Sequence, residues 1–131
     1  MTSGDDRSVL DDTRLYRRIH PNFIVHDHDR DCNRLSQGAF NDPEMSVHLG
    51  HILEQEEREP ADVLSGFTGH CLVSIAAEVA RKHGQAIVPS ATDDDRSHGE
   101  VVGDKPKTVR RAFVASASWE VPPEDPCPEE P

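Results

Sequence analysis

The sequence predicts an α+β domain with a small, mostly antiparallel sheet and two or three helices. Apolar and polar residues alternate over short stretches, for example where Met45 and Val47 flank Ser46, which is the period of a half-buried strand. Prolines and glycines interrupt these stretches often enough to keep every element short. A length of 131 residues, of which 34% are hydrophobic, suffices for one domain with one small core.

Composition divides the chain into a central domain and two tails. Residues 1–12 are rich in aspartate, and residues 122–131 combine prolines with glutamates. Segments of this kind bury too little apolar surface to offset the entropy that is lost on ordering. We therefore expect a disordered acidic tail over 1–12, a single domain over 13–121 and a disordered Pro/Glu-rich tail over 122–131.

The first half of the domain predicts short strands separated by turns. Pro21 prevents a continuous helix through the first two apolar stretches, and residues 27–38 are expected to form a polar loop. Proline at the first position and glycine after the end favour one short helix further on. The expected elements are strands over 15–19, 23–26 and 45–49, with a helix over 48–55 as the rival interpretation of the last, and a helix over 60–66.

The longest apolar passage predicts the centre of the domain. Residues 72–75 suit a buried strand, residues 76–83 suit two turns of helix, and residues 86–88 suit a returning strand. Gly84 is a suitable helix end, because glycine adopts the left-handed conformation readily. A single helix over 72–82 is the alternative.

The last elements are a strand over 101–103, a helix over 106–116 and an edge strand that contains Trp119. Val109 and Phe113 are four residues apart and would face the core from one side of this helix. One longer strand is the alternative for this region, because the apolar residues from Phe113 onward also alternate with period two.

Net charge and apolar content limit the possible partners. A formal net charge of −11 argues against binding to nucleic acid, since the field around the protein repels phosphates. The sequence has no apolar stretch long enough to span a membrane and no secretory signal, so we expect a soluble cytoplasmic protein. Cys32, Cys71 and Cys127 are widely spaced and odd in number, and we expect three reduced thiols, with Cys71 in the core.

Four cations lie within seven residues of this acidic chain: Lys105, Lys107, Arg110 and Arg111. They surround the start of the last predicted helix, where unpaired backbone N–H groups also attract anions. The cluster therefore predicts a surface that binds an anion or a protein partner. A merely solvated helix face, or a contact with an acidic segment such as the protein's own tail, are the alternatives.

Two further cations, Arg17 and Arg18, lie on the first predicted strand. Neighbouring strand residues point to opposite faces, so we expect only one of the two to reach any given cleft. An arginine in a cleft can hold a phosphate or a carboxylate through two hydrogen bonds. A salt bridge to a nearby acidic residue is the plainer interpretation.

The remaining residues support no assigned catalytic site, metal site or cofactor. His26 and His28 could both reach one metal ion from an extended strand, but no distant ligand is obviously paired with them. We predict no metal and no cofactor, and we leave open whether the protein is an enzyme and whether it forms oligomers.

Five short motifs resemble an uncharacterised family of short bacterial soluble α/β proteins. The motifs are LYRRI at 15–19, SQGAF at 36–40, MSV at 45–47, VVGDK at 101–105 and VRR at 109–111. Their arrangement is also similar to ADP-ribosyltransferase-like folds, which hold NAD with an arginine or histidine, a serine or tyrosine and a third polar residue. That similarity would assign these roles to Arg17 or Arg18, Ser36 or Ser46, and Glu100.

These observations predict a small binding module. It would engage a protein partner or an anionic small molecule through the basic corner formed by Lys105, Lys107, Arg110 and Arg111, with Arg17 or Arg18 contributing. A nucleotide- or NAD-using transferase is the alternative function.

Overall fold

The computed structural model of the protein describes residues 4–128 and 131. Eight strands, three α-helices and three short 3₁₀ helices are formed by these residues. In chain order the strands and α-helices are β1 (Arg14–Ile19), β2 (Ile24–Asp27), β3 (Cys32–Leu35), β4 (Glu44–Leu49), α1 (Gly50–Gln55), β5 (Cys71–Ala76), α2 (Ala77–Lys82), β6 (Ala86–Pro89), β7 (His98–Val102), α3 (Lys107–Ser116) and β8 (Ser118–Val121). The 3₁₀ helices are Pro21–Phe23, Gln37–Phe40 and Pro60–Leu64.

Six of the strands form one antiparallel sheet in the order β6-β7-β4-β1-β5-β8, and β2 pairs with β3 in a separate antiparallel hairpin. The predicted α+β class with a mostly antiparallel sheet is therefore confirmed. β1 lies in the interior of the large sheet between β4 and β5, so its residues are placed between two strands that are distant in sequence.

The main core lies between one face of the large sheet and α3. Phe113 of α3 is fully buried and meets Phe40 edge to face, with 5.6 Å between the ring centroids. Alternate strand residues such as Leu15 and Val47 complete this core. A second, smaller cluster of Leu53, Val63 and Leu72 covers part of the other side. The placement of α3 agrees with the apolar face expected from Val109 and Phe113.

In three regions the sequence allowed either a helix or a strand. The structure has both in each of them, one directly after the other. β4 ends at Leu49 and α1 begins at Gly50, β5 passes into α2 at Ala77, and α3 gives way to β8 after Ser116. Gly50 permits the first of these junctions, because a Cβ atom there would lie 2.8 Å from the carbonyl oxygen of Arg14. The single helix over 72–82 and the single long strand through Phe113 are wrong.

The expected polar loop over 27–38 is also wrong in part, because it contains β3. Cys32 and Leu35 are buried, and Leu35 pairs with Ile24 across the hairpin. Asp31, with φ of 52°, forms the turn between the two strands. The polar residues between Cys32 and Leu35 obscure this strand in the sequence.

A disulfide joins Cys32 to Cys127, so the expectation of three reduced thiols is wrong. Cys71 remains a free thiol in the core, as predicted. The backbone N–H of Cys127 donates to the Asn33 carbonyl at 2.9 Å, which adds a short piece of chain alongside β3. Disulfides are typical of oxidising compartments, so this bond weighs against the cytoplasmic location that we predicted.

The described parts of both predicted tails contact the domain. At the N-terminal end, Val9 is buried, and Asp5 accepts hydrogen bonds from Arg81 and from the backbone N–H of Ile87. At the other end, the Asp125 carbonyl accepts a hydrogen bond from Asn33. These contacts differ from the expectation of mobile tails, because buried Val9, ion pairs and a disulfide hold the two segments against the domain. Residues 1–3 and 129–130 lie outside the described residues.

Candidate functional site

A cleft opens where strands β1 and β4 separate. Their hydrogen-bonded register covers Leu15↔Leu49 and Tyr16↔His48 and then ends, whereas β1 stays paired with β5 through Ile19. The space between the diverging strands has a volume of about 260 Å³. We call it the β1–β4 cleft; it is lined by Arg17, Arg18, His20, Phe23, Ala39, Ser46, His48, Phe67, His70 and His98.

Arg17 bridges the gap in the sheet. Its Nε donates to the Ala39 carbonyl and its Nη1 to the Ser46 carbonyl, both at 2.8 Å. The side chain thus replaces backbone pairing that β4 would otherwise have found with β1. Burial lowers the pKa of this guanidinium, although it stays charged.

Arg18 lies on the opposite side of the strand and still reaches the same cleft. Its Nε donates to the Val63 carbonyl at 2.7 Å, and its guanidinium carbon lies 3.8 Å from the centre of the Phe67 ring. Neither of its Nη atoms has a hydrogen-bond partner among the described residues. Burial also lowers the pKa of Arg18. The expectation that only one of Arg17 and Arg18 reaches a cleft is wrong, because the opening of the sheet exposes the gap to both faces.

His48 is a buried imidazole held by a carboxylate. Its Nδ1 lies 3.0 Å from Oδ2 of Asp95 and 3.0 Å from the Ser97 hydroxyl. Burial, followed by the charge of Arg18, lowers the pKa of His48 to about 4, against the opposing effect of Asp95. The ring is therefore neutral near pH 7. Since Nδ1 carries the proton toward Asp95, Nε2 is the free basic nitrogen.

Asp95 is itself fixed in place by three donors. The backbone N–H and the hydroxyl of Ser97 donate to its Oδ1 at 2.9 and 2.5 Å, and Nη1 of Arg58 approaches the same oxygen at 3.3 Å. Burial acts to raise the pKa of Asp95, but these hydrogen bonds and the nearby charges lower it overall. The carboxylate thus remains ionised and orients His48.

His98 faces His48 from the neighbouring strand. The two residues are register partners on β7 and β4, and their ring centroids are 6.3 Å apart. Nδ1 of His98 lies 2.7 Å from the Ser90 hydroxyl and 3.0 Å from the Ser90 carbonyl, which orients the ring, and Nε2 lies 3.3 Å from the Ser46 hydroxyl. Two oriented imidazoles therefore stand side by side at the cleft.

Aromatic rings form the outer wall. His70 meets His20 and Phe67 edge to face, at centroid distances of 5.1 and 5.4 Å. Phe67 remains 38% exposed, which is unusual for a large apolar side chain and gives the cleft an open hydrophobic surface. His20 accepts the Asn22 N–H at Nδ1, so its Nε2 is left as the donor.

The predicted basic corner is not one surface. Lys105 is only 6% exposed, and its Nζ donates to the carbonyls of Val101 and Gly103 at 2.8 and 3.0 Å. Burial lowers the pKa of this amine to about 8. Lys107 and Arg111 are exposed on α3, whereas Arg110 is half-buried. The physical reason is that Lys105 turns back onto the end of β7 and is used to satisfy backbone carbonyls.

Arg111 instead belongs to a different group of cations. It lines a separate cavity of about 350 Å³ together with Arg30 and Arg34 of the β2–β3 hairpin. This cavity lies on the hairpin side of the molecule and shares no lining residue with the β1–β4 cleft.

The residues suggested by the resemblance to ADP-ribosyltransferase-like folds are partly brought together. Ser46 lines the cleft, whereas the Ser36 hydroxyl accepts the Gly38 N–H at the start of a 3₁₀ helix. Glu100 is the register partner of Ser46 on β7, but it does not line the cleft.

His26 and His28 lie on the β2–β3 hairpin, away from the cleft. Their rings are in edge-to-face contact at 4.8 Å, and His26 is already engaged by Asp31 and Asn33. Within residues 4–128 and 131, three or more His, Cys, Asp or Glu side chains nowhere form a group that could hold a metal ion.

No protein-family model, curated protein or solved structure matches this chain. Among the described residues, the helices are too short and too polar for any of them to cross a membrane.

Proposed function

We propose that the protein binds a small anionic molecule, with a phosphoryl group as its anion, in the β1–β4 cleft. The observation that carries this proposal is the segregation of charge. In a chain with a formal net charge of −11, the described residues that line the cleft include two arginines and four histidines and no carboxylate. A larger cavity, of about 760 Å³, is lined in contrast by Asp12, Glu54, Glu57 and Glu59 beside its cations.

The two arginines of the cleft have no carboxylate partner within the described part of the chain, although several arginines of this acidic chain do. Arg30 pairs with Asp27, Arg58 with Asp95 and Arg81 with Asp5. Arg17 and Arg18 form no ion pair with any residue that the structure describes. Removing a charge from water without a counterion is costly. A bound anion would supply the missing charge, and the free Nη atoms of Arg18 suit a two-point contact.

The size and walls of the cleft indicate a compact ligand. Ligand pockets commonly enclose about 300–1,000 Å³, so about 260 Å³ suits a phosphoryl group with one attached ring or a short chain. Phe67 and His70 offer ring faces and edges beside the cations. A nucleoside monophosphate has this combination of an anion and a flat ring.

This proposal keeps the anionic ligand that the sequence predicted and moves its site. Lys105 is buried and bound to carbonyls, and Arg111 lies at another cavity, so the basic corner offers no single surface for an anion or a protein partner. Arg17 and Arg18, named from the sequence as contributors, become the main anion-binding residues.

Calorimetric titration with AMP, and with adenosine as the uncharged counterpart, tests the proposal. We expect AMP to bind and adenosine to give no measurable heat. Arg18→Gln should weaken AMP binding about 10- to 100-fold, since a hydrogen bond to a charged group contributes about 1.5–3 kcal/mol. The double variant Lys107→Gln/Arg111→Gln removes two exposed cations outside the cleft and should bind AMP as the unmodified protein does. Loss of binding in this control with retention in Arg18→Gln would assign the anion site to α3 and reject the cleft.

A nucleotide- or NAD-using transferase remains the second candidate, because Glu100 stands opposite Ser46 in register on the neighbouring strand. This places a carboxylate on the strand next to Ser46, which lines the cleft. Incubation with NAD and detection of released nicotinamide tests it, with Glu100→Gln as the variant. If NAD is bound but no nicotinamide is released, the transferase candidate is excluded and phosphoryl binding stands.

A further inference from the structure

We infer that the β1–β4 cleft cleaves phosphodiesters, with His48 as general base and His98 as general acid. This inference rests on the proposed function, because a bound phosphoryl group is what both imidazoles would act on. It adds a reaction and a substrate class to the binding site described above.

His48 has the geometry of a base rather than that of a simple core histidine. Asp95 accepts a hydrogen bond from Nδ1–H, and Asp95 is itself held by the neighbouring Ser97 and by Arg58 from the segment after α1. The arrangement fixes both the ring and its tautomer, which leaves Nε2 as the proton acceptor. Nε2 has no hydrogen-bond partner among the described residues, and His48 lines the cleft.

His98 is held in a matching way without a carboxylate. Its Nδ1 lies 2.7 Å from the Ser90 hydroxyl and 3.0 Å from the Ser90 carbonyl, which leaves Nε2 to give a proton to a leaving group. The Asp95 carboxylate stabilises the positive charge that develops on His48 as its Nε2 takes a proton, whereas His98 is held by neutral oxygens of Ser90. The different partners of the two rings thus suit the different tasks of acid and base.

The two rings are close enough to contact one phosphoryl group together. Their centroids are 6.3 Å apart in an edge-to-face arrangement, and both residues line the same cleft. A phosphoryl group bound there would lie beside both imidazoles, with the attacking oxygen near His48 and the leaving oxygen near His98.

The reaction is a hydrolysis in which atoms and protons balance. Nε2 of His48 takes a proton from water as the water oxygen forms a bond to phosphorus. The bond from phosphorus to the leaving oxygen breaks, and its electron pair goes to that oxygen, which takes the proton from Nε2 of His98. The products are a phosphomonoester and an alcohol. His48 is then protonated and His98 neutral, and proton exchange with solvent restores both.

The arginines supply charge where the transition state needs it. The guanidiniums of Arg17 and Arg18 lie in the cleft beside the two histidines and can hold the non-bridging oxygens of the phosphoryl group. Phe67, against which Arg18 is stacked, offers a surface for one ester substituent. The charged and titratable groups facing His48 are Asp95, Arg58, Arg18 and His98, from four different segments.

The test measures cleavage and binding on the same samples. Bis(p-nitrophenyl) phosphate reports cleavage by release of p-nitrophenolate, and 2′,3′-cyclic AMP reports it by phosphorus NMR. The unmodified protein should cleave both, and His48→Gln and His98→Gln should each lower the rate about 10²- to 10⁴-fold. AMP binding should weaken by less than about 10-fold in both variants, because each loses one contact to the phosphoryl group while both arginines remain. His28→Gln, on the exposed β2–β3 turn, is the matched control and should cleave at the rate of the unmodified protein.

Each outcome separates the two proposals. If AMP binds but neither diester is cleaved, the reaction is wrong and the binding function stands. If neither binding nor cleavage occurs, both are wrong. Cleavage at the unmodified rate in both histidine variants would also overturn the assignment. Because His48 is buried, its variant is compared by circular dichroism first; should it fail to fold, the half-buried His98 decides, and an unchanged rate in His98→Gln rejects the mechanism.

Discussion

Opening the Cys32–Cys127 disulfide should remove a large part of the stability of the fold. The two cysteines are 95 residues apart, so the bridge restricts most of the unfolded chain. The chain-entropy relation for a loop of this length gives a contribution of about 4.7 kcal/mol at 25 °C. Domains have a total free energy of unfolding of about 5–15 kcal/mol. The reduced protein should therefore be close to the limit of stability.

Urea unfolding measures this loss directly, with the fluorescence of Trp119 as the signal. The protein has one tryptophan, and it lies half-buried on β8, so its emission reports on the edge of the large sheet. With a urea dependence of about 2 kcal/mol per molar, a loss of about 4.7 kcal/mol lowers the midpoint by about 2 M. The comparison is between the oxidised protein, the protein with a phosphine reductant, and Cys127→Ser.

The control is the effect of reductant on Cys127→Ser, which should be absent, since Cys71 is a free, buried thiol. Cys32→Ser should match Cys127→Ser, because either change removes the same bond. A difference below about 1 kcal/mol between the oxidised and reduced protein would refute the reasoning. It would mean that the hydrogen bonds between Asn33 and the C-terminal segment restrain the chain without the disulfide.

Three further outcomes are expected. Phe113→Ala should lower the free energy of unfolding by about 3–5 kcal/mol, because it leaves a cavity beside Phe40; thermal melting measures it, and a loss below about 1 kcal/mol would contradict the packing described for α3. Gly50→Ala should cost about 1–3 kcal/mol because its Cβ would collide with backbone, whereas Gly38→Ala, with ordinary contacts, should be nearly neutral in the same assay. Stability should fall as the pH is lowered, because the pKa of His48 is about 4 in the folded protein and 6.5 in the unfolded chain, so the unfolded state binds more protons between these values. The stability that the neutral His48 contributes is complete above pH 6.5, and about 2 kcal/mol of it should be lost by pH 5. Urea unfolding at several pH values should show that His48→Gln lacks this part of the pH dependence. An identical pH dependence in the variant would show that another group is responsible.

The order of strands and helices was largely predictable, because local signals determine it. Gly84, with φ of 77°, ends α2 where the sequence indicated a helix end. The spacing of Val109 and Phe113 located α3 to within one residue of its observed start. In both cases the decisive information lies within one or two helical turns.

The missed features have two different causes. β3 pairs with the adjacent β2, but its polar residues hide the strand pattern, whereas the meeting of Cys32 and Cys127 joins residues 95 apart and has no local signature. For Lys105 the sequence suggested a binding residue on the surface, and the structure has a buried side chain instead. Its charge and its neighbours indicated a surface cation, but the carbonyls at the end of β7 take up its donors.

Only part of the candidate site could be identified from the sequence. Arg17 and Arg18 were identified from the sequence, because two cations on a strand are conspicuous in an acidic chain. His48, Asp95 and His98 were not identified as a group. The available signal was the alternation of Ser46 and His48 on one strand face, which places both side chains beside β1. Asp95 lies in a loop rich in acidic residues, and nothing in that loop distinguishes it from its neighbours.

The sequence by itself determined the fold class, the boundaries of most elements and the presence of unusual cations on the first strand. Hydrophobic period, proline and glycine act over a few residues, and these properties can be evaluated without knowing the rest of the chain. Only the tertiary structure decided that β1 and β4 separate and that histidines from two strands face the cations across the gap. Strand pairing is set by the burial of whole faces of the sheet, so the meeting of these side chains depends on the entire domain.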